Sequence, residues 1–215
     1  ITKDRGRALP YLERLEKEIE LISCHLDPKQ QVEQLHFGGG TPTFLSHDEL
    51  RRLMAKLRKH FNLLDDDSGD YGIEIDPREA DWSTMGLLRE LGFNRVSLGV
   101  QDLDPVVQQA VNRLQTLEQT RAIVEAARTL QFRSVNIDLI YGLPKQTPEN
   151  FARTVDAVIA LQPDRLSVFN YAHLPERFLP QRRINASDLP VPTDKLLMLQ
   201  NSIEQLTAAG YRYIG

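Results

Sequence analysis

Apolar residues recur along the chain at two alternating spacings. Leu12, Leu15, Ile19 and Ile22 fall at helical intervals after Pro10, and Val32 to Phe37 follows as a short run that stops at Gly38, Gly39 and Gly40. Ser46 stands three residues before Glu49, the pattern of a capping box, and Leu50, Leu53, Met54, Leu57 and Phe61 continue on one helical face. The polar stretch LDDDSGD predicts a loop and YGIEID a strand; Leu87, Leu88 and Leu91 then end a helix at Gly92, a residue suited to a C-cap. NRVSLGVQ predicts the next strand, and Thr116 a cap for a helix bearing Ile123, Val124, Ala127 and Leu130. SVNIDLI is a further strand, followed by a helix that starts at Thr147-Pro148 and carries Phe151, Val155, Val158 and Ile159. DRLSVFNY, a Pro-containing loop, a helix from about Thr193 with Leu196, Leu199, Ile203 and Leu206, and a closing strand YRYI complete the pattern. Strands alternating with helices of this length predict βαβ units and a parallel sheet, an α/β fold.

The strands also predict which way their side chains point, because successive residues face opposite sides. Ile73 and Ile75 oppose Glu74 and Asp76. Val96, Leu98 and Val100 oppose Ser97, Gly99 and Gln101, and Val135, Ile137 and Leu139 oppose Asn136 and Asp138. A doubly wound sheet covered on both faces should read apolar on both, and a filled eight-stranded barrel should be branched and apolar inside. One apolar and one polar face, three times over, fits an open or partial barrel with helices outside and a polar, ligand-holding interior. The polar positions cluster near strand C-terminal ends, where parallel α/β folds bind ligands.

Composition narrows the function. Of 215 residues, 41% are hydrophobic, enough for a core, and 26 Lys plus Arg against 30 Asp plus Glu give a net charge of -4, which argues against a general nucleic-acid binder. No apolar run approaches the ~18 residues of a membrane span, and the first ten residues contain no apolar signal region. The single cysteine, Cys24, excludes an internal disulfide and fits a reducing, cytoplasmic compartment. The chain begins at Ile1 rather than Met and ends at Gly215 directly after an apparent strand, so a segment of a longer protein, one domain over 1–215, is expected.

The glycine run is the first candidate for chemistry. Three glycines give up packing and lose extra entropy on folding, which suits backbone that must approach something closely. GGGTPT lacks the Lys-Ser/Thr pair of a phosphate loop and the G-x-G-x-x-G spacing. Bare N–H donors beside a polar cavity suit a carboxylate or an amino-acid-like group. A tight turn without a ligand is the plain alternative.

The segments LHFGGGTPTFL, IEIDPRE, NRVSLGVQD, AVNR, NIDLIYGLPKQTPENF and DRLSVFNYAHLP occur in that order, and together they closely resemble the oxygen-independent coproporphyrinogen III oxidases, members of the radical S-adenosylmethionine (SAM) enzymes. GGGTP marks only the superfamily; NIDLIYGLPKQTPENF with FNYAHLP is more specific. The resemblance covers nearly the whole chain. It implies a partial (βα)6 TIM-like barrel, here expected to lack its first strand and cluster loop. It also implies oxidative decarboxylation of two propionates of coproporphyrinogen III to vinyl groups, giving protoporphyrinogen IX in haem biosynthesis. A [4Fe-4S] cluster would reduce SAM, and the resulting 5′-deoxyadenosyl radical would remove a propionate hydrogen. The implied partners are coproporphyrinogen III, an electron donor and two SAM molecules; the chain is expected to be a monomer, with no nucleic-acid or membrane partner.

Carried onto matching positions, the resemblance places Gly39 and Glu74 at the first SAM. It places Gly40, Thr41, Gln101, Arg113, Asp138 and Ala172 at the second. The chemistry agrees: Glu74 and Asp138 can accept from an ammonium or ribose hydroxyls, and Arg113 can donate to a carboxylate with bidentate geometry. The family holds its cluster with three cysteines in C-x-x-x-C-x-C, which this chain lacks; they are expected upstream of Ile1, and the segment by itself is expected to be inactive.

Other polar clusters have plainer readings. Cys24 beside His25 does not make a metal site, and His36, His47, His60 and His173 form no H-x-x-x-H pair, so no metal ligand is assigned. Asp65, Asp66 and Asp67 lack calcium-loop spacing and predict a solvated turn. Arg182 and Arg183 read as a surface pair that could instead meet substrate propionates, and His173 is near the active end. Glu74 could be a structural carboxylate paired with Arg78. Two rival functions stand beside the oxidase. One is a related haem chaperone, which typically carries GVQS where this chain has Gly99-Val100-Gln101-Asp102 and lacks FNYAHLP. The other is an ordinary α/β-barrel enzyme acting on an anionic metabolite.

Overall fold

The computed structural model describes residues 4–215. The chain divides into two compact units, Ile1–Ser97 with Glu125–Ser134, and Leu98–Val124 with Val135–Gly215.

In the first unit, helix α1 (Ala8–Ser23) buries Ala8, Leu12 and Ile19; of the expected face, Leu15 is half-buried and Ile22 is exposed. The run from Val32 to Phe37 is shared between two strands, β1 (Gln31–Val32) and β2 (Gln34–Phe37). They part at Glu33, whose carbonyl turns away to accept from Asp70 N. Helix α2 (His47–His60) begins with the expected capping box: Ser46 accepts from Glu49 N, and the Glu49 carboxylate accepts from Ser46 N. Strand β3 (Asn62–Leu63) pairs in parallel with β1, and β4 (Asp70–Ile75) pairs in parallel with β2. Helix α3 (Trp82–Glu90) is capped by Asp81 and closes at Gly92, whose φ of 99° and N–H bond to the Arg89 carbonyl fulfil the predicted C-cap. Strand β5 (Arg95–Gln101) starts in this unit beside β4.

In the LDDDSGD loop Asp65 and Asp66 are exposed, as expected of a solvated turn, but Asp67 is tied into the protein. Buried Asn94 donates to the Asp67 carboxylate and to the Asp67 and Gly69 carbonyls, and Arg89 grips both Asp67 oxygens at 2.9 and 2.8 Å. Burial alone would raise the Asp67 carboxyl, yet Arg89 and Asn94 hold it below the usual carboxylate range. Sequence spacing could not show this, because the partners lie more than 20 residues away.

In the second unit, the end of β5 is followed by α4 (Pro105–Ala110), α5 (Leu117–Thr129, continuing into the first unit), β6 (Ser134–Tyr141), α6 (Pro148–Ile159), β7 (Arg165–Asn170) and α7 (Pro192–Ala208). The strands neighbour one another in the order β5-β6-β7, and β6 and β7 run parallel in the register Asp138–Ser167. Thr116 and Thr147 cap α5 and α6 as expected, each accepting from the N–H three residues on. The expected alternation holds in β5, where Val96, Leu98 and Val100 are buried and Ser97, Gly99 and Gln101 are not. With Ile137 and Leu139 they form the apolar side, each fully buried side chain contributing about 1.5–3 kcal/mol.

Two expectations fail here. YRYI makes no strand: Tyr211–Gly215 pair with no described strand, and Ile214 is 89% exposed. A strand exists only through a ladder partner, which local β propensity cannot supply. In α7 the expectation fails at Leu196, which is 69% exposed; Leu199, Ile203 and Leu206 are half-buried, and the fully buried side chains are Met198 and Ser202. Among the described residues no helix is long and apolar enough to cross a membrane.

Candidate functional site

In the first unit the site grows from the C-terminal ends of β2 and β4. The register pairs His36 with Gly72 and Phe37 with Ile73, which sets Glu74 opposite Gly38. The alternation that buries Ile73 and Ile75 turns Glu74 to the other face, where its side chain is 45% exposed. Glu74 Oε2 accepts from Gly39 N at 3.1 Å, and Oε1 lies 3.5 Å from His36 Nε2. A Cβ at Gly38 would fall 2.9 Å from both Glu74 Oε1 and His36 Nε2, whereas one at Gly39 would meet nothing within 4 Å. The glycines therefore have different jobs. Gly38 makes room for the protein's own Glu74 and His36, and Gly39 leaves open space beside its backbone. Gly39 and Gly40 both have positive φ, 72° and 57°, a conformation costly for any residue with a side chain. Thr41 then starts the turn Pro42–Phe44, its carbonyl accepting from Phe44 N.

The alternative partner for Glu74 is excluded. Arg78 instead grips Asp76, donating at 2.9 and 2.6 Å, and buried Asp76 also accepts from Arg78 N. Asp76 is the structural carboxylate of this strand end, and Glu74 keeps acceptor capacity toward solvent.

His36 lacks a histidine partner at helical spacing, so no motif singles it out. Its signal was positional. The ring lies over two glycines, with Gly72 on the neighbouring strand leaving only 3.1 Å between an added Cβ and His36 Nδ1.

In the second unit the polar face of β6 and β7 carries Asn136, Asp138 and Ser167. Asn136 Nδ2 donates to Asp138 Oδ1 at 2.7 Å and to Ser167 Oγ at 3.1 Å. Arg113 Nη2 donates to the Gly99 carbonyl at 2.6 Å, so part of its guanidinium braces β5. Ala172 is exposed just beyond β7, and its carbonyl accepts from Gln181 Nε2. Next to it, Tyr171 Oη and His173 Nδ1 lie 3.2 Å apart. Arg182 and Arg183 are exposed, and Arg182 donates to the Pro175 carbonyl.

Gln101, the last residue of β5, has φ 69°, and its Oε1 is buried with no hydrogen-bond partner. Its neighbour Asp102, which the sequence marked only as part of a family signature, is 2% exposed. Burial pushes the Asp102 carboxyl upward, opposed by hydrogen bonds from Asp104, Gln146 and Thr154 that favour its charge.

In the first unit the Glu74 carboxylate is an acceptor of the kind an ammonium or a ribose hydroxyl of SAM needs, and the space beside Gly39 admits a ligand against bare backbone; in the second, Gln101 offers an amide oxygen with no protein partner and Arg113 a cation. These groups do not suit an iron–sulfur cluster: among the described residues no three His, Cys, Asp or Glu side chains gather, and Cys24 is exposed at the end of α1 with its thiol on the Glu20 carbonyl.

Over all 215 residues the chain is 80% identical to the oxygen-independent coproporphyrinogen III oxidase of Pseudomonas aeruginosa, covering 47% of it. It is 50% identical to the oxidase of the same name from Salmonella typhimurium, covering 46%. The chain thus spans about half the length of the curated relatives it matches. The solved structure of coproporphyrinogen III oxidase from Escherichia coli, described there as a radical SAM enzyme, superposes on 100% of this chain and 49% of that one, with a TM-score of 0.95 and 50% identity. Residues 3–158 match the Radical SAM superfamily. With parallel strands ending in a glycine backbone and a carboxylate, and with that match running through most of its length, the chain belongs to the Radical SAM superfamily.

Proposed function

We propose that this chain is the SAM-binding part of an oxygen-independent coproporphyrinogen III oxidase, a segment of one radical SAM barrel domain. The observation that carries the reading is the 80% identity, over all 215 residues, to a protein of that name. SAM held here, given an electron by a [4Fe-4S] cluster, would supply the carbon-radical chemistry that removes hydrogen from a propionate of coproporphyrinogen III.

The residues of this chain bind and orient. Gly39, through the open space beside its backbone, and the Glu74 carboxylate hold one SAM, with Glu74 fixed by the Gly39 bond before any ligand arrives. Gln101, Arg113, Asp138 and Ala172 serve a second, and Gly40 and Thr41 offer further backbone contacts to SAM. Asp138 is preset by Asn136, so its carboxylate needs little reordering, which lowers the entropic cost of binding. The cluster ligands and the electron donor come from outside these residues, and the whole protein works as a cytoplasmic monomer.

The test uses the complete protein, anaerobically loaded with cluster and SAM, supplied with coproporphyrinogen III and a reductant, and assayed for protoporphyrinogen IX. Its formation supports the reading. Haem transfer to an acceptor protein without decarboxylation would overturn it in favour of the chaperone.

A further inference from the structure

Within the second unit, the backbone at the end of β5 is strained. Asp102 N–H donates to the Val100 carbonyl at 2.9 Å around Gln101, whose φ is 69°. This is the positive-φ form of the γ-turn, rare and costly for a residue with a side chain. Such a turn persists only where its surroundings over-determine it.

The surroundings converge on Asp102. Oδ1 accepts from Asp104 N at 2.6 Å and from Thr154 Oγ1 of α6 at 2.9 Å. Oδ2 accepts from Gln146 Nε2, which also donates to the Ile140 carbonyl at 2.8 Å, while Gln146 Oε1 accepts from Leu143 N at 2.8 Å. The Asp102 carbonyl accepts from Gln108 Nε2. On the other side of the turn, the Val100 carbonyl also accepts from Gln115 Nε2. Every donor reaching the carboxylate comes from a different place in the sequence, and all are buried or partly buried. An ionised carboxylate so enclosed is costly unless something is gained from holding it there.

We propose that Asp102 is a positioning residue. Its carboxylate clamps the strained turn, fixes Gln101 with its side-chain oxygen unsatisfied, and ties that geometry through Gln146 to the loop 141–146. Asp102 touches no ligand itself and acts through Gln101. The proposal rests on the reading that Gln101 contacts SAM.

Only a carboxylate accepts from all three donors. Asn at 102 must turn an NH2 group toward one of them. Glu at 146 restores an acceptor for that NH2 and still receives Leu143 N, but it gives up the bond to the Ile140 carbonyl, so its rescue is partial. The test measures equilibrium binding of SAM to the complete, cluster-loaded protein, below the melting transition of each variant. Gln101→Ala and Asp102→Asn should each weaken binding by about tenfold. The double variant should be no weaker than either single one, whereas independent effects would multiply to roughly a hundredfold. Asp102→Asn/Gln146→Glu should recover part of the lost affinity.

Unchanged affinity in Gln101→Ala removes the site reading, and the proposal with it. Weakened binding in Gln101→Ala beside wild-type binding in Asp102→Asn overturns the clamp alone, as does a multiplicative double variant. Should Asp102→Asn not fold, Thr154→Val decides: it keeps the carboxylate and removes one of its donors, together with the weaker acceptor of Leu103 N at 3.3 Å, so a loss of about threefold supports the clamp and unchanged affinity overturns it.

Discussion

A methyl group on Gly38 would stand 2.9 Å from the Glu74 carboxylate. The first glycine of the run is therefore cut to fit a side chain of the neighbouring strand. Gly38→Ala should leave the fold intact, because Glu74 and His36 are both flexible side-chain ends that can swing aside. Displacing Glu74 breaks its bond to Gly39 N, so SAM affinity should fall by about tenfold with little change in melting temperature, read by ligand titration and thermal unfolding on the complete protein.

The next two glycines should respond differently. Gly39 and Gly40 have positive φ, so Gly39→Ala meets strain rather than crowding and should cost about 1–2 kcal/mol of stability, measured by denaturant unfolding. Gly40→Val adds a branched side chain to the same strain and should abolish SAM binding. Retained affinity would mean that the glycines serve only the turn.

Glu74→Gln keeps an oxygen to accept from Gly39 N, and Asp138→Asn keeps one to accept from Asn136. Both should fold normally and lose only charge. Weakened SAM binding in each, with unchanged unfolding midpoints, is the expected result of isothermal titration and thermal melts. Two wild-type binding curves would refute these site assignments.

Asp81 caps α3, accepting from Thr84 N at 2.8 Å and Thr84 Oγ1 at 2.9 Å, and these bonds hold its carboxyl below the usual range. Asp67 is held low as well, with Arg89 and Asn94 outweighing burial. A lowered folded-state value means that the stabilisation is complete above the ordinary carboxylate value and is lost as pH falls through the folded one. Acid unfolding should therefore set in below about pH 4. Asp81→Ala should cost about 1 kcal/mol at neutral pH, and the gap from wild type should close as the pH drops. Unfolding curves at several pH values check both.

The sequence alone determined what depends on near neighbours. Capping at Ser46, Thr116 and Thr147, the C-cap at Gly92 and the alternation along β5 are set within three or four residues by backbone hydrogen bonding and side-chain period, and they read correctly. Alternation also turned Glu74, Gln101 and Asp138 away from the apolar side. Only the tertiary structure decided which partner each polar group found. Asp67 meets Arg89, Asp76 rather than Glu74 takes Arg78, His36 lies over Gly72, and Asp102 collects Thr154 and Gln146. It also decided that YRYI stays unpaired and that α7 turns Leu196 outward. The physical reason is range: periodicity fixes the direction of a side chain locally, but a hydrogen bond or ladder forms only when strands and helices distant in sequence are brought within about 3 Å, and no local pattern encodes that distance.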